Sequence, residues 1–159
     1  MNKANKSIGW AGYTWNPIKG LCPVGCWYCY ARKIYKRFKM NPEVRFEFFK
    51  SLENKPKIPE GSKIFICSTI ELFHPQVKKE WRDKIFETIE LNPQHTFQIL
   101  TKMPENIDRE MPDNVWLGMT VTGKERAWGI DFFSTKTTGI KFASFEPLLK
   151  PIDDLFLEI

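Results

Sequence analysis

Ile64-Phe-Ile-Cys-Ser68, Gln76 to Leu91 and Thr96-Phe-Gln-Ile-Leu-Thr-Lys102 read as strand, helix and strand, and this run decides the fold. The first stretch is short and apolar without alternation, the pattern of a strand buried on both faces. Phe73-His-Pro75 reads as a loop. Val77, Trp81, Ile85 and Ile89 then recur every fourth residue, which predicts one apolar stripe along a helix. Asn92-Pro93 ends it, because the residue before a proline is pushed away from helical backbone. A strand, a helix and a second strand imply parallel pairing through a right-handed crossover.

The same alternation extends in both directions. Upstream, Tyr13-Thr-Trp-Asn-Pro17 reads as an irregular strand. Cys29 to Lys39 reads as a helix with Tyr30, Ile34, Tyr35 and Phe38 on its apolar face. Asn41-Pro42 breaks it, and Phe46 to Gly61 is polar and without a clear period. Downstream come a helical turn near Pro104 to Glu110, a strand at Val115 to Val121, a weaker helix from Lys124 to Phe133 and a strand at Ile140 to Phe145. The expected fold class is α/β: about five parallel strands in a partial (β/α) barrel or open curved sheet. A complete eight-fold barrel needs about 250 residues, more than this chain has.

The 159 residues suit a single domain, and a hydrophobic content of 42% argues against disorder. No apolar run approaches the roughly 20 residues of a membrane span. The start, Met-Asn-Lys-Ala-Asn-Lys, has no apolar signal core, so a cytoplasmic protein with reduced thiols is expected, with no membrane partner. A formal net charge of +5 suits a nucleic-acid partner, or equally a solvated basic face.

In parallel α/β folds, sites form at the carboxyl ends of strands. The polar residues that fall there are Ser68 to His74, Thr101-Lys102, Thr120 to Thr122 and Glu146. His74 and Lys102 are candidate catalytic residues on the substrate side. Ser68, Glu71, Thr120 and Glu146 are candidates for holding a cofactor. Each has a plainer reading: His74 as a packing or capping residue, Lys102 and Glu146 as solvated strand ends, and the threonines as ordinary β-branched strand residues. His95 opens a strand at the other end of the unit and reads as structural. Cys67, inside an apolar run, reads as a small core residue.

Cys22-Pro-Val-Gly-Cys26-Trp-Tyr-Cys29 places three cysteines within eight residues, too crowded for ordinary disulfides. Three thiolates on one loop can hold three irons of a 4Fe–4S cluster, which normally takes four. The fourth iron is then free to bind a small bidentate ligand. Gly25 eases the turn between ligands, and a helix starting near Cys29 aims its first amides at an anionic cluster. The rival reading is structural zinc with Cys67 or His74 as fourth ligand, in a non-catalytic module that binds nucleic acid or a partner protein. Zinc sites usually pair cysteines from two separate loops, and this chain has no second pair.

The spacing, with an aromatic residue just before Cys29, resembles the motif of the radical S-adenosylmethionine superfamily. The resemblance implies a 4Fe–4S cluster on Cys22, Cys26 and Cys29, with S-adenosylmethionine on the open iron. It also implies an electron donor, cleavage to a 5′-deoxyadenosyl radical, and main chain near Tyr28 and Tyr30 flanking the adenine. A second resemblance covers nearly the whole chain. Thr14-Trp-Asn-Pro17, Cys26-Trp-Tyr-Cys-Tyr-Ala31, Glu71-Leu-Phe-His-Pro75, His95 to Lys102, Val115 to Val121 and Phe145-Glu-Pro-Leu-Leu149 resemble the phage-associated three-cysteine family, which is radical-SAM-like and of unknown substrate. There are two departures. Ser68-Thr-Ile-Glu71 stands where such enzymes often carry Gly-Gly-Glu, which makes Glu71 the candidate to hold the methionine amino group. The family usually continues into a further strand, so the chain is expected to lack a final strand.

Overall fold

Ile64, Phe97 and Val115 stand side by side on three neighbouring strands, as do Ile66, Ile99 and Leu117. These registers build the centre of the molecule. In the computed structural model, residues 2–4, 9–47, 58–123 and 139–152 are described. Their strands are β1 (Asn2–Lys3), β2 (Tyr13–Trp15), β3 (Ile18–Lys19), β4 (Arg45–Phe46), β5 (Lys63–Ile66), β6 (Thr96–Thr101), β7 (Val115–Thr120) and β8 (Lys141–Ser144). The helices are α1 (Tyr30–Arg37) and α2 (Lys79–Glu90), with a 3₁₀ turn at Pro104–Asn106.

The main sheet runs β1-β2-β5-β6-β7-β8. Its last five strands are all parallel, and only β1 is antiparallel, at the edge. Each parallel strand pairs with the next one in the chain, so the sheet grows in one direction without reversing. The α/β class and the parallel sheet agree with the sequence reading. The helix read at Lys124 to Phe133 lies outside the described residues.

Because side chains alternate along a strand, the sheet has two distinct faces. Ile64, Ile66, Phe97, Ile99, Val115, Leu117 and Met119 belong to one core with Ile85, Phe86 and Ile89 of α2. Phe65, Leu100, Thr120 and Ser144 belong to the other face and line a cavity. Gly118 is needed on this second face, because a Cβ there would run into the ring of its β8 neighbour Phe142.

One boundary and one buried face differ from the sequence reading. α2 starts at Lys79, not Gln76. The preceding residues form turns instead: the Val77 amide donates to the His74 carbonyl at 2.8 Å, and the Gln76 amide to His74 Nδ1 at 3.1 Å. On α1 the buried residues are Ala31 and Tyr35, while Tyr30, Ile34 and Phe38 are exposed. The buried face is set by a small side chain and a specific bond: Tyr35 Oη accepts from the Gly20 amide at 2.9 Å.

Candidate metal and cofactor site

The cysteine loop is clamped at its base. β3 and β4, which flank the loop and α1 in sequence, pair antiparallel as a separate two-stranded ribbon. Leu21 donates its amide to the Pro42 carbonyl at 2.9 Å and so closes the neck. Gly20 sits at φ 115°, and a Cβ there would strike the Glu43 backbone. Only glycine takes this conformation readily. Within the loop, Arg32 Nη2 donates to the Cys22 carbonyl at 3.1 Å, and the Cys29 amide to the Cys26 carbonyl at 3.2 Å. Gly25 lies at φ 75°, the left-handed turn expected between the cysteines.

All three loop cysteines line one cavity of about 570 Å³, within the usual range for small-molecule sites. Its other walls are the carboxyl ends of β5 to β8, as the parallel topology predicts. Tyr28, Tyr30, Ser68, Glu71, Lys102, Thr120 and Glu146 all contribute to it. An apolar floor comes from Trp10, whose ring is 4.7 Å from that of Phe65. The thiols are free. Burial pushes the Cys22 thiol above its ordinary value, against backbone hydrogen bonds at Glu71 and Val24. Among the described residues, no group of three or more His, Cys, Asp or Glu side chains is placed to hold a metal ion.

Glu71 accepts three hydrogen bonds at the cavity wall. Its Oε1 accepts from Thr101 Oγ1 at 2.7 Å and from the Phe73 amide at 3.2 Å, and its Oε2 from the Lys102 amide at 2.8 Å. Burial raises its pKa, and these three bonds oppose the rise. The carboxylate therefore ties the end of β5 to the end of β6 at the cavity wall. Ser68 is fixed in turn by Asn16, whose Oδ1 accepts from the Ser68 amide at 2.7 Å and hydroxyl at 3.1 Å. Tyr30 Oη donates to the Ser68 carbonyl at 3.1 Å, joining α1 to this strand end. Thr120 Oγ1 is buried without a hydrogen-bond partner among the described residues.

One sequence-derived candidate is not brought to the cavity. His74 is not among its lining residues, and its Nδ1 is committed to the Gln76 amide. That bond belongs to the turn before α2, whose own N-cap is Lys78. Thr122 is buried, and its carbonyl accepts from Leu149 at 2.8 Å. Cys67 is buried at φ 54°, with its thiol pushed up to about 12 by burial. His95 immediately precedes β6 at the far end of the strands, its ring edge-on to Phe97. Asn16 and Arg32 were not singled out from sequence as site residues, because a short polar side chain in a loop and one Arg among many cations give no local signal.

A family model described as "Protein of unknown function (DUF5131)" matches residues 5–159. The chain belongs to this family. The match carries neither a reaction nor a cofactor with it. A search of curated proteins and a search of solved structures found no match.

Proposed function

We propose that this member of the family is a radical S-adenosylmethionine enzyme of undetermined substrate, built on a partial (β/α) barrel. The observation that carries the reading is that Cys22, Cys26 and Cys29 share one cavity with the polar ends of four parallel strands. The donor set fits the group. Three thiolates from one loop suit three corners of a 4Fe–4S cube and leave the fourth for a cosubstrate. The unpartnered hydroxyl of Thr120, beside Ser144 and Glu146 in the lining, is available to a polar ligand. The unreversed strand order supports a barrel segment over a doubly wound sheet, whose order turns back at a switch point.

When bound, such a cluster with S-adenosylmethionine supplies one-electron cleavage of a carbon–sulfur bond. The residues of this chain have the tasks of position and seclusion. The ribbon β3–β4 and Arg32 hold the loop. The first amides of α1 follow directly on Cys29 and favour an anionic group there. Trp10 and Phe65 form an apolar floor that limits water. Glu71 keeps two strand ends in register, and Lys102, in the same lining, is the candidate for the substrate side.

The test is anaerobic reconstitution with iron and sulfide, chemical reduction, addition of S-adenosylmethionine and chromatography for 5′-deoxyadenosine. The expected result is product from the native protein and none from Cys26→Ala. Fully loaded, reduced protein that yields no product would instead mark a non-catalytic iron–sulfur module, and a colourless protein that holds zinc would mark a structural zinc module.

A further inference from the structure

The segment from 20 to 42 carries Arg32, Lys33, Lys36, Arg37 and Lys39 and no acidic residue. The chain's net charge is +5, so the other 19 cations are balanced by its 19 acidic residues. All of the excess charge therefore lies on the cysteine loop, α1 and the turn after it. Lys33, Lys36, Arg37 and Lys39 are exposed, and none pairs with a carboxylate among the described residues. On α2, by contrast, Lys79, Arg82 and the nearby Arg109 are each paired with Asp83 or Asp108.

The same surface is aromatic. Tyr30, Ile34 and Phe38 recur every fourth residue and make one exposed stripe on α1. Phe38 is 65% exposed, and Trp27, just before the helix, is 81% exposed. The Arg37 guanidinium lies 5.4 Å from the centre of the Phe38 ring, so cation and ring form one platform. Exposed flat rings among unpaired cations suit a flexible polyanion with stackable bases. A protein partner fits this surface poorly, because interface cores are depleted in lysine. Tyr30 belongs both to the stripe and to the cavity lining, so the surface leads directly to the site.

We propose that α1 and Trp27 form a binding surface for single-stranded nucleic acid at the mouth of the cavity. Phosphates meet Lys33, Lys36, Arg37 and Lys39, and bases stack on Trp27 and Phe38. Duplex binds more weakly, because its bases are already stacked on one another. This surface stands without the cluster, so its test is separate from that of the catalytic reading.

The experiment is fluorescence anisotropy with a labelled 20-nucleotide oligo(dT), a labelled oligo(U) and a labelled duplex, across a salt series, using the full chain before and after reconstitution. Four phosphate contacts predict a slope of log affinity against log salt of about −3 for single strands. Lys36→Ala should flatten the slope by about 0.7. Phe38→Ala should leave the slope unchanged and weaken binding roughly fivefold or more. Both positions are exposed, and circular dichroism would verify that each variant folds. No binding at low salt, equal affinity for duplex, or a slope indifferent to Lys36→Ala would overturn the proposal. Self-association of the native protein that disappears in Phe38→Ala, without nucleic-acid binding, would assign the stripe to a second copy instead and also overturn it.

Discussion

Four cysteines separate into two kinds by their surroundings. All four border the cavity, but Cys22, Cys26 and Cys29 are half-buried on the loop, whereas Cys67 is buried with its thiol pushed up to about 12. A thiol of that kind is a poor ligand, since metals bind the thiolate. Cys29→Ala should therefore lower reconstituted iron several-fold, while Cys67→Ala should leave iron content unchanged. A colorimetric iron assay on both variants checks this. Glu71 presents a comparable contrast. The sequence marked it as a cofactor candidate, and the structure adds its three bonds to Thr101, Phe73 and Lys102. Glu71→Gln places an amide where donors already point, and should cost about 1.5–3 kcal/mol in urea unfolding. His74 was marked for the same reason, its place at a strand end. Its ring is occupied by a turn that only the folded backbone reveals.

The elements were legible where the signal is local and repeated. β5, β6, β7 and β8 follow from apolar runs, and α2 from its four-residue period, although Val77 matches the period while lying outside the helix. The ribbon β3–β4 was not legible, because two-residue strands far apart in sequence carry no period. Its importance to the site predicts that Gly20→Ala, forced against the Glu43 backbone at φ 115°, costs about 1–3 kcal/mol. The loss should appear as a lower urea midpoint together with weaker iron retention. α2 has its own signature. Arg82 reaches Asp108 at 2.7 Å, and Arg109 bridges Asp108 and Asp83. Burial alone would raise the Asp108 pKa, but hydrogen bonds from Arg82 and Arg109 hold it below the ordinary value. The folded state then binds its proton less readily than the unfolded chain. The associated stability is present above the ordinary Asp value near 4 and is lost as pH falls through the lower folded-state value. Asp108→Asn should therefore remove part of the stability loss seen below about pH 4, by up to roughly 1 kcal/mol for a surface network. Urea midpoints at pH 3 and pH 7 measure it.

For the molecule as a whole, strand order and charge placement matter more than any one contact. A parallel sheet that adds each strand beside the last brings every carboxyl end to one rim, and the cysteine loop is held against that rim by Tyr30 and Ser68. The general location of the site was legible from alternation of strands and helices alone. The identity of the inner wall was not, because Asn16 meets Ser68 across 52 residues and Glu71 meets Lys102 across 31. The segregation of charge onto residues 20 to 42 is visible in the sequence, but its pairing with an exposed aromatic stripe requires knowing which face of α1 is buried. The most direct test of the proposed open iron at Cys22, Cys26 and Cys29 is electron paramagnetic resonance of the reduced, reconstituted protein with and without S-adenosylmethionine. A 4Fe–4S signal that shifts when the cosubstrate is added is the expected result. A colourless protein that holds stoichiometric zinc, or a cluster signal unchanged by saturating S-adenosylmethionine, would contradict it.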